Sequence, residues 1–225
     1  MSDAIEPHFD ALVFDCDGVI LDSATLKRSA FADFYRDEPE PLRQAIHAYL
    51  ARGGGQPRDV KFHHIEAHIL GRPATETRIR ELSCAFAEHI EARVADAPML
   101  PGAHEFLQRW RGRRPLFLLS ATPQTELRRV IEQRGLSGLF DEVLGAPPDK
   151  VNGLRNLIDQ YGFAAARTVM IGDSYNDYRA ARSNGTHFLG IHAGDASHSP
   201  FPANSLILPD LTDLETGLTR LLAMS

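Results

Sequence analysis

The sequence predicts an α/β chain, a Rossmann-like doubly wound parallel sheet core with an inserted α-helical cap domain. Three observations carry that prediction. Short β-branched or apolar runs end repeatedly in small or polar residues, the later runs alternate with helix-like stretches closed by glycine, and residues 23–97 break the alternation with helices alone. Strand, helix, strand at this rhythm implies right-handed parallel crossovers with helices on both sheet faces. Apolar strands buried on both sides fit such a sheet.

In chain order, the first strand segment is ALVFD, 11–15. The helical interval then opens at Ser23, which can cap the stretch 23–37. A second stretch, 40–55, ends in three glycines, a third covers 59–71, and a long fourth, 74–97, stops at Pro98 and Pro101. The alternation resumes with strand 115–121 (PLFLLSA), helix 123–135 closed by Gly135, and strand 141–146 (DEVLGA). Helix 150–162 closes at Gly162, strand 168–173 (TVMIGD) follows, and helix 174–185 closes at Gly185. Strand 186–193 comes next, and SLILPD, 205–210, fits a sixth. The domain reading is a core of residues 1–22 and 98–225 with a cap of residues 23–97.

Composition bounds the function classes. A chain of 225 residues, 43% hydrophobic with both charge signs well represented, can bury one sizeable core plus a small second domain. Its net charge of -6 offers no basic footprint for nucleic acid. No apolar run approaches the length of a membrane helix and the amino terminus has no signal-like pattern, so the expectation is a cytoplasmic protein without membrane partners. Cys16 and Cys84 lack metal or redox spacing and read as reduced packing residues. The long cap helices could offer a dimer surface, yet packing within the cap explains their apolar faces equally, and oligomeric state is open.

In a parallel sheet, the carboxyl ends of neighbouring strands converge on one crevice, where such folds bind ligands. The strand ends here supply Asp15 and Asp17, then Ser120 and Thr122, then Lys150, then Asp173 and Asp177. Four carboxylates with one lysine would raise each other's pKa rather than stay ionised. A hard divalent cation with oxygen ligands removes the conflict, and Mg2+ suits a site whose remaining positions go to water and phosphate.

Asp15-x-Asp17-Gly18-Val19, Ser120 after an apolar strand, Lys150 before a helix, and Gly172-Asp173-Ser174-x-x-Asp177 resemble, in order and spacing, the four motifs of the haloacid dehalogenase-like phosphohydrolases. The helical insertion resembles the first-type cap of that family, as in phosphoglycolate phosphatases and β-phosphoglucomutases. The resemblance implies Asp15 as nucleophile and Asp17 as general acid/base. It implies a Mg2+ site formed by Asp15, Asp173 and the backbone carbonyl of Asp17, with Asp177 as a direct or outer partner. Ser120 and Lys150 would bind and neutralise the transferring phosphoryl group. Backbone N–H groups after Asp15, Gly18 among them, and around Ala121 and Thr122 would complete the anion cradle. The implied partner is a small phosphorylated metabolite, hydrolysed to an alcohol and phosphate. A phosphomutase uses the same intermediate, and a non-catalytic module of the same fold is the alternative from another class.

Each residue also has a structural role open to it. Asp17-Gly18 is a common turn pair, Asp22-Ser23 an ordinary helix cap, and Asp177 a partner for Lys150. HIEAH, 64–68, spaces two histidines at i and i+4 but misplaces the Glu for a zinc helix. The cap segment GGGQPRDVKFHH lies where members of the resembled family carry a loop that reads the leaving group. Arg58 is its leading candidate, because a guanidinium binds a carboxylate or second phosphate bidentately. Lys61, His63 and His64 are weaker candidates.

Overall fold

Strand β1 (Ala11–Phe14) is buried along its whole length, and its residues divide between two apolar clusters. Leu12 and Phe14 belong to one cluster while Ala11 and Val13 belong to the other. The alternation repeats in β2 (Leu116–Pro123), where Leu116 and Leu118 oppose Phe117 and Leu119, and in β4 (Thr168–Gly172), where Val169 and Ile171 oppose Met170. A strand apolar on both faces needs a layer on each side. Helices α6 (Gln124–Gln133), α7 (Lys150–Tyr161), α8 (Tyr175–Asn184) and α9 (Leu214–Ala223) supply them.

These observations come from a computed structural model that describes residues 9–52, 56–194 and 199–224. With β3 (Glu142–Ala146), β5 (His187–Ile191) and β6 (Leu206–Leu208), the sheet has six parallel strands in the order β3-β2-β1-β4-β5-β6. Between β1 and β2 the chain makes the inserted cap: α1 (Ala24–Phe34), α2 (Glu40–Arg52), α3 (Arg58–His64) and α4 (Glu76–Ala95). Phe31, Phe62 and Phe86 form its centre, with ring centroids of Phe31 and Phe86 4.0 Å apart.

Two differences from the sequence expectation are local. The stretch 59–71 is not one helix, because a π-helical turn, Ile65–Ile69, follows α3. The sequence reading also left α5 (Ala103–Trp110) and α9 without an element. Both are short amphipathic helices, tied by the bond that the Trp110 indole donates to Glu215, at 2.8 Å. No helix among the described residues is long and apolar enough to cross a membrane.

Candidate active site

Parallel pairing turns positions far apart in sequence into one edge. Phe14 lies level with Leu118 of β2 and Ile171 of β4, so Asp15, Ser120 and Asp173 emerge side by side. The Asp15 N–H donates to Ile171 O at 2.9 Å, which continues the ladder and fixes the carboxylate's origin. Lys150, the first residue of α7, is 5% exposed; its Nζ lies 2.8 Å from Asp15 Oδ1 and 2.5 Å from Asp177 Oδ1. The other Asp177 oxygen accepts from the Ser174 N–H at 3.1 Å and the Ser174 hydroxyl at 2.6 Å. That capping box at the start of α8 orients Asp177 toward Lys150. Gly172 makes room for it, since a Cβ there would fall 2.2 Å from Asp177 Cβ.

Carboxylate oxygens of Asp15, Asp173 and Asp177 lie within 4.8 Å of one another. Burial, with the nearby Asp177 and Asp17 charges, pushes Asp15 up to about 7 against the pull of Lys150. Burial and the neighbouring Asp15 and Asp177 hold Asp173 well above the usual carboxylate range. Lys150 is held charged, because Asp15 and Asp177 outweigh the cost of its burial. Three carboxylates crowded this closely form a donor set that can hold a cation, and its all-oxygen ligands fit Mg2+. Gly18 shapes the same cluster: at φ +83° it takes a conformation that favours glycine, and a Cβ would lie 2.3 Å from Asp173 Oδ2. Its N–H donates to Leu21 O at 2.7 Å, so Gly18 serves the turn and the approach of Asp173 rather than offering its amide to an anion.

Asp17 faces the cap instead of the cluster. Its Oδ1 accepts from the Ser23 hydroxyl at 2.5 Å; its Oδ2 accepts from Lys27 Nζ at 2.5 Å and from the Thr122 hydroxyl at 3.3 Å. Lys27 also donates to Thr122 Oγ1 at 2.8 Å. Burial raises the Asp17 carboxyl, yet Lys27 and Ser23 more than offset it and the net direction is down. The expectation that Ser23 caps α1 is corrected here. Ser23 stands at the N-cap position but makes no side-chain cap bond, because its hydroxyl is turned to Asp17. Asp22 is exposed and keeps a structural role. Neither Ser23 nor Lys27 was expected at the site from sequence. The available signal was their i, i+4 spacing, which puts both on one helix face just after Asp17.

A pocket of about 90 Å3 separates this edge from α1 and α3. Ser120, 2% exposed, lines it and its Oγ accepts from the Thr122 N–H at 3.1 Å; Ala121 and Thr122 line it beside Ser120. Arg58 also lines it, but its guanidinium is engaged elsewhere. It forks onto Glu126 of α6 at 2.6 and 2.7 Å, donates to Ser83 O at 3.0 Å and lies 5.0 Å from the Phe86 ring centroid. The arginine expected to read a substrate therefore ties the cap to the core. Arg134 donates to Ala95 O and Ala97 O at 2.7 and 2.6 Å, and Arg129 pairs with Glu91 at 2.6 Å, along the same seam. Lys61, one turn beyond Arg58, lines the pocket, and burial together with the Lys27 charge lowers it to about 8. His63 is exposed and His64 stacks on Tyr49 with centroids 4.0 Å apart. The glycines at 53–55 of the expected loop lie outside the described residues.

The family profile described as haloacid dehalogenase-like hydrolase matches residues 9–185. A protein of Dickeya dadantii named as a probable phosphatase, IndB, is 28% identical over 192 residues, 81% of each chain. A phosphoglycolate phosphatase of Neisseria gonorrhoeae is 24% identical, with 93% of this chain and 91% of that one covered. Among solved structures, CbbY of Rhodobacter sphaeroides in complex with phosphate superposes with a TM-score of 0.73 at 18% identity, covering 94% and 99% of the two chains.

Proposed function

The chain belongs to the haloacid dehalogenase-like hydrolases, and from that premise we propose that it is a Mg2+-dependent phosphatase of a small sugar or organic-acid phosphate monoester. One observation carries the reading: Asp15 pairs with Lys150 and belongs to a carboxylate cluster fit for a divalent cation, with Asp17 two residues away at the pocket wall. Asp15 attacks phosphorus, the bond from phosphorus to the leaving oxygen breaks, and Asp17 gives that oxygen a proton. Water then attacks the aspartyl-phosphate, Asp17 takes the water proton, and inorganic phosphate leaves with Asp15 restored. Lys150 and the Ser120 hydroxyl meet charge on the transferring oxygens. Asp15, Asp173 and Asp177 would hold Mg2+, which when bound lessens the repulsion between nucleophile and phosphate. The phosphatase names of the relatives support this class, and phosphoglycolate phosphatase among them favours an organic-acid ester.

The test is a panel of phosphate monoesters with Mg2+. Release of phosphate from at least one sugar or organic-acid ester, lost on chelation, is the expected result. Failure to turn over any ester with Mg2+ present overturns the proposal.

A second expectation concerns the metal and pH. Because the Asp15 carboxyl is raised from 3.8 to about 7, the metal-free fold holds a proton that the unfolded chain releases. Its stability therefore falls as pH rises across that window. Mg2+ needs the ionised group, so its stabilisation grows in the same direction. At ten times its Kd it contributes about 1.4 kcal/mol, or roughly 3–6 °C in Tm for a chain of this size. Melting curves should show that gain at pH 7.5, a much smaller one at pH 5.5, and none in Asp173→Asn. A gain independent of pH would contradict the assignment.

A further inference from the structure

We propose that Lys61 selects the leaving group, and that it favours an ester whose short carbon chain carries a second anionic group. The proposal rests on the phosphatase reading above and adds the class of substrate to it. Five cationic side chains line the pocket. Lys150 is held by Asp15 and Asp177, Lys27 by Asp17, and Arg58 by both oxygens of Glu126. Arg28 is exposed and its guanidinium donates to Thr25 of its own helix at 3.1 Å. The Lys61 ammonium has no hydrogen-bond or ion-pair partner among the described residues.

The surroundings of Lys61 say what it would take. Its Nζ lies 5.2 Å from the centroid of the Phe31 ring, so the ammonium rests over an aromatic face and is partly withdrawn from water. An ammonium so placed is under-solvated, and a ligand anion recovers that loss better than water at a distance does. Lys61 belongs to α3 and lines the same pocket as Asp15 and Lys150. A substrate whose phosphoryl group sits at Asp15 therefore has Lys61 in the lining of the pocket that holds its remainder. The small pocket limits that remainder to a few carbons. A carboxylate and a second phosphate share the required chemistry.

The test compares kcat/KM of the native chain, Lys61→Met and Lys61→Arg with Mg2+ on four esters: phosphoglycolate, a sugar bisphosphate, a neutral hexose monophosphate and p-nitrophenyl phosphate. Lys61→Met should lose roughly ten- to a hundredfold more on an anionic ester than on the neutral and aryl ones, chiefly through KM. Lys61→Arg should recover most of it. A selective loss on phosphoglycolate assigns a carboxylate, and one on the bisphosphate assigns a phosphate. An equal loss on all four esters, or none on any, overturns the proposal. Binding decides it without turnover: phosphonoacetate should raise the Tm of the native chain more than methylphosphonate does, and Lys61→Met should abolish that difference. Equal shifts in the native chain overturn the selection by Lys61, whereas absence of turnover alongside unequal shifts overturns only the phosphatase reading.

Discussion

Asp15→Asn is expected to lower Mg2+-dependent phosphate release by at least about three orders of magnitude while leaving the fold intact. The amide has the carboxylate's shape but not its nucleophilicity, so no aspartyl-phosphate forms. The fold should survive for reasons visible around the side chain. Asp15 is buried beside Asp177 and Asp17, and its charge is disfavoured there. Removing that charge relieves repulsion, and Lys150 keeps Asp177 at 2.5 Å as its partner. The Tm without Mg2+ should therefore stay within a few degrees of native, or rise at neutral pH. Intact-mass measurement after mixing with substrate should find a phosphorylated fraction in the native chain and none in the variant. Activity within tenfold of native would remove Asp15 from the nucleophile's role.

The apolar runs that end at Asp15, Ser120 and Asp173 were legible because a parallel sheet requires buried strands and gathers their carboxyl ends. The linear order of those residues became a crevice only through the register that sets Phe14 beside Leu118 and Ile171. Beyond the pairing of Asp177 with Lys150, what the sequence could not convey was which charges neutralise one another. Arg58 and Glu126 are 68 positions apart, and nothing local marks them as a pair. A reader of the cap segment sees an arginine ahead of a lysine and prefers the arginine; the fold engages that arginine and leaves the lysine. Ser23 departs from its expected cap role for a related reason. A serine before a helix has a cap role visible within a few residues, whereas its actual partner, Asp17, comes within reach only through the turn at Gly18. Helices α5 and α9 went unread because each is short and stabilised by the other, through Trp110 and Glu215. Their stability is tertiary, which propensity over ten residues does not register.

Asp17→Asn separates proton transfer from nucleophilic attack, and its expected signature is a dependence on the leaving group. For alkyl phosphates, whose alkoxide leaves poorly without a proton, kcat/KM should fall by roughly 10²- to 10⁴-fold. For p-nitrophenyl phosphate, whose phenolate leaves unaided, the fall in kcat/KM should be smaller by at least an order of magnitude. That parameter reports the steps through departure of the leaving group, so the contrast belongs to Asp17 acting as an acid. The same variant should depress kcat for both esters where hydrolysis of the aspartyl-phosphate limits turnover, since water then lacks its base. The structure adds a condition to this scheme. With Lys27 and Ser23 each 2.5 Å from its oxygens, Asp17 is an ionised carboxylate turned to the cap, and it must leave Lys27 before it can donate a proton. Lys27 belongs to α1, so the position of the cap and the readiness of the acid are coupled through one ion pair. An equal loss of kcat/KM on alkyl and aryl esters would show that Asp17 acts by holding Ser23 and Lys27 of the cap in place, and would take the proton transfer away from it.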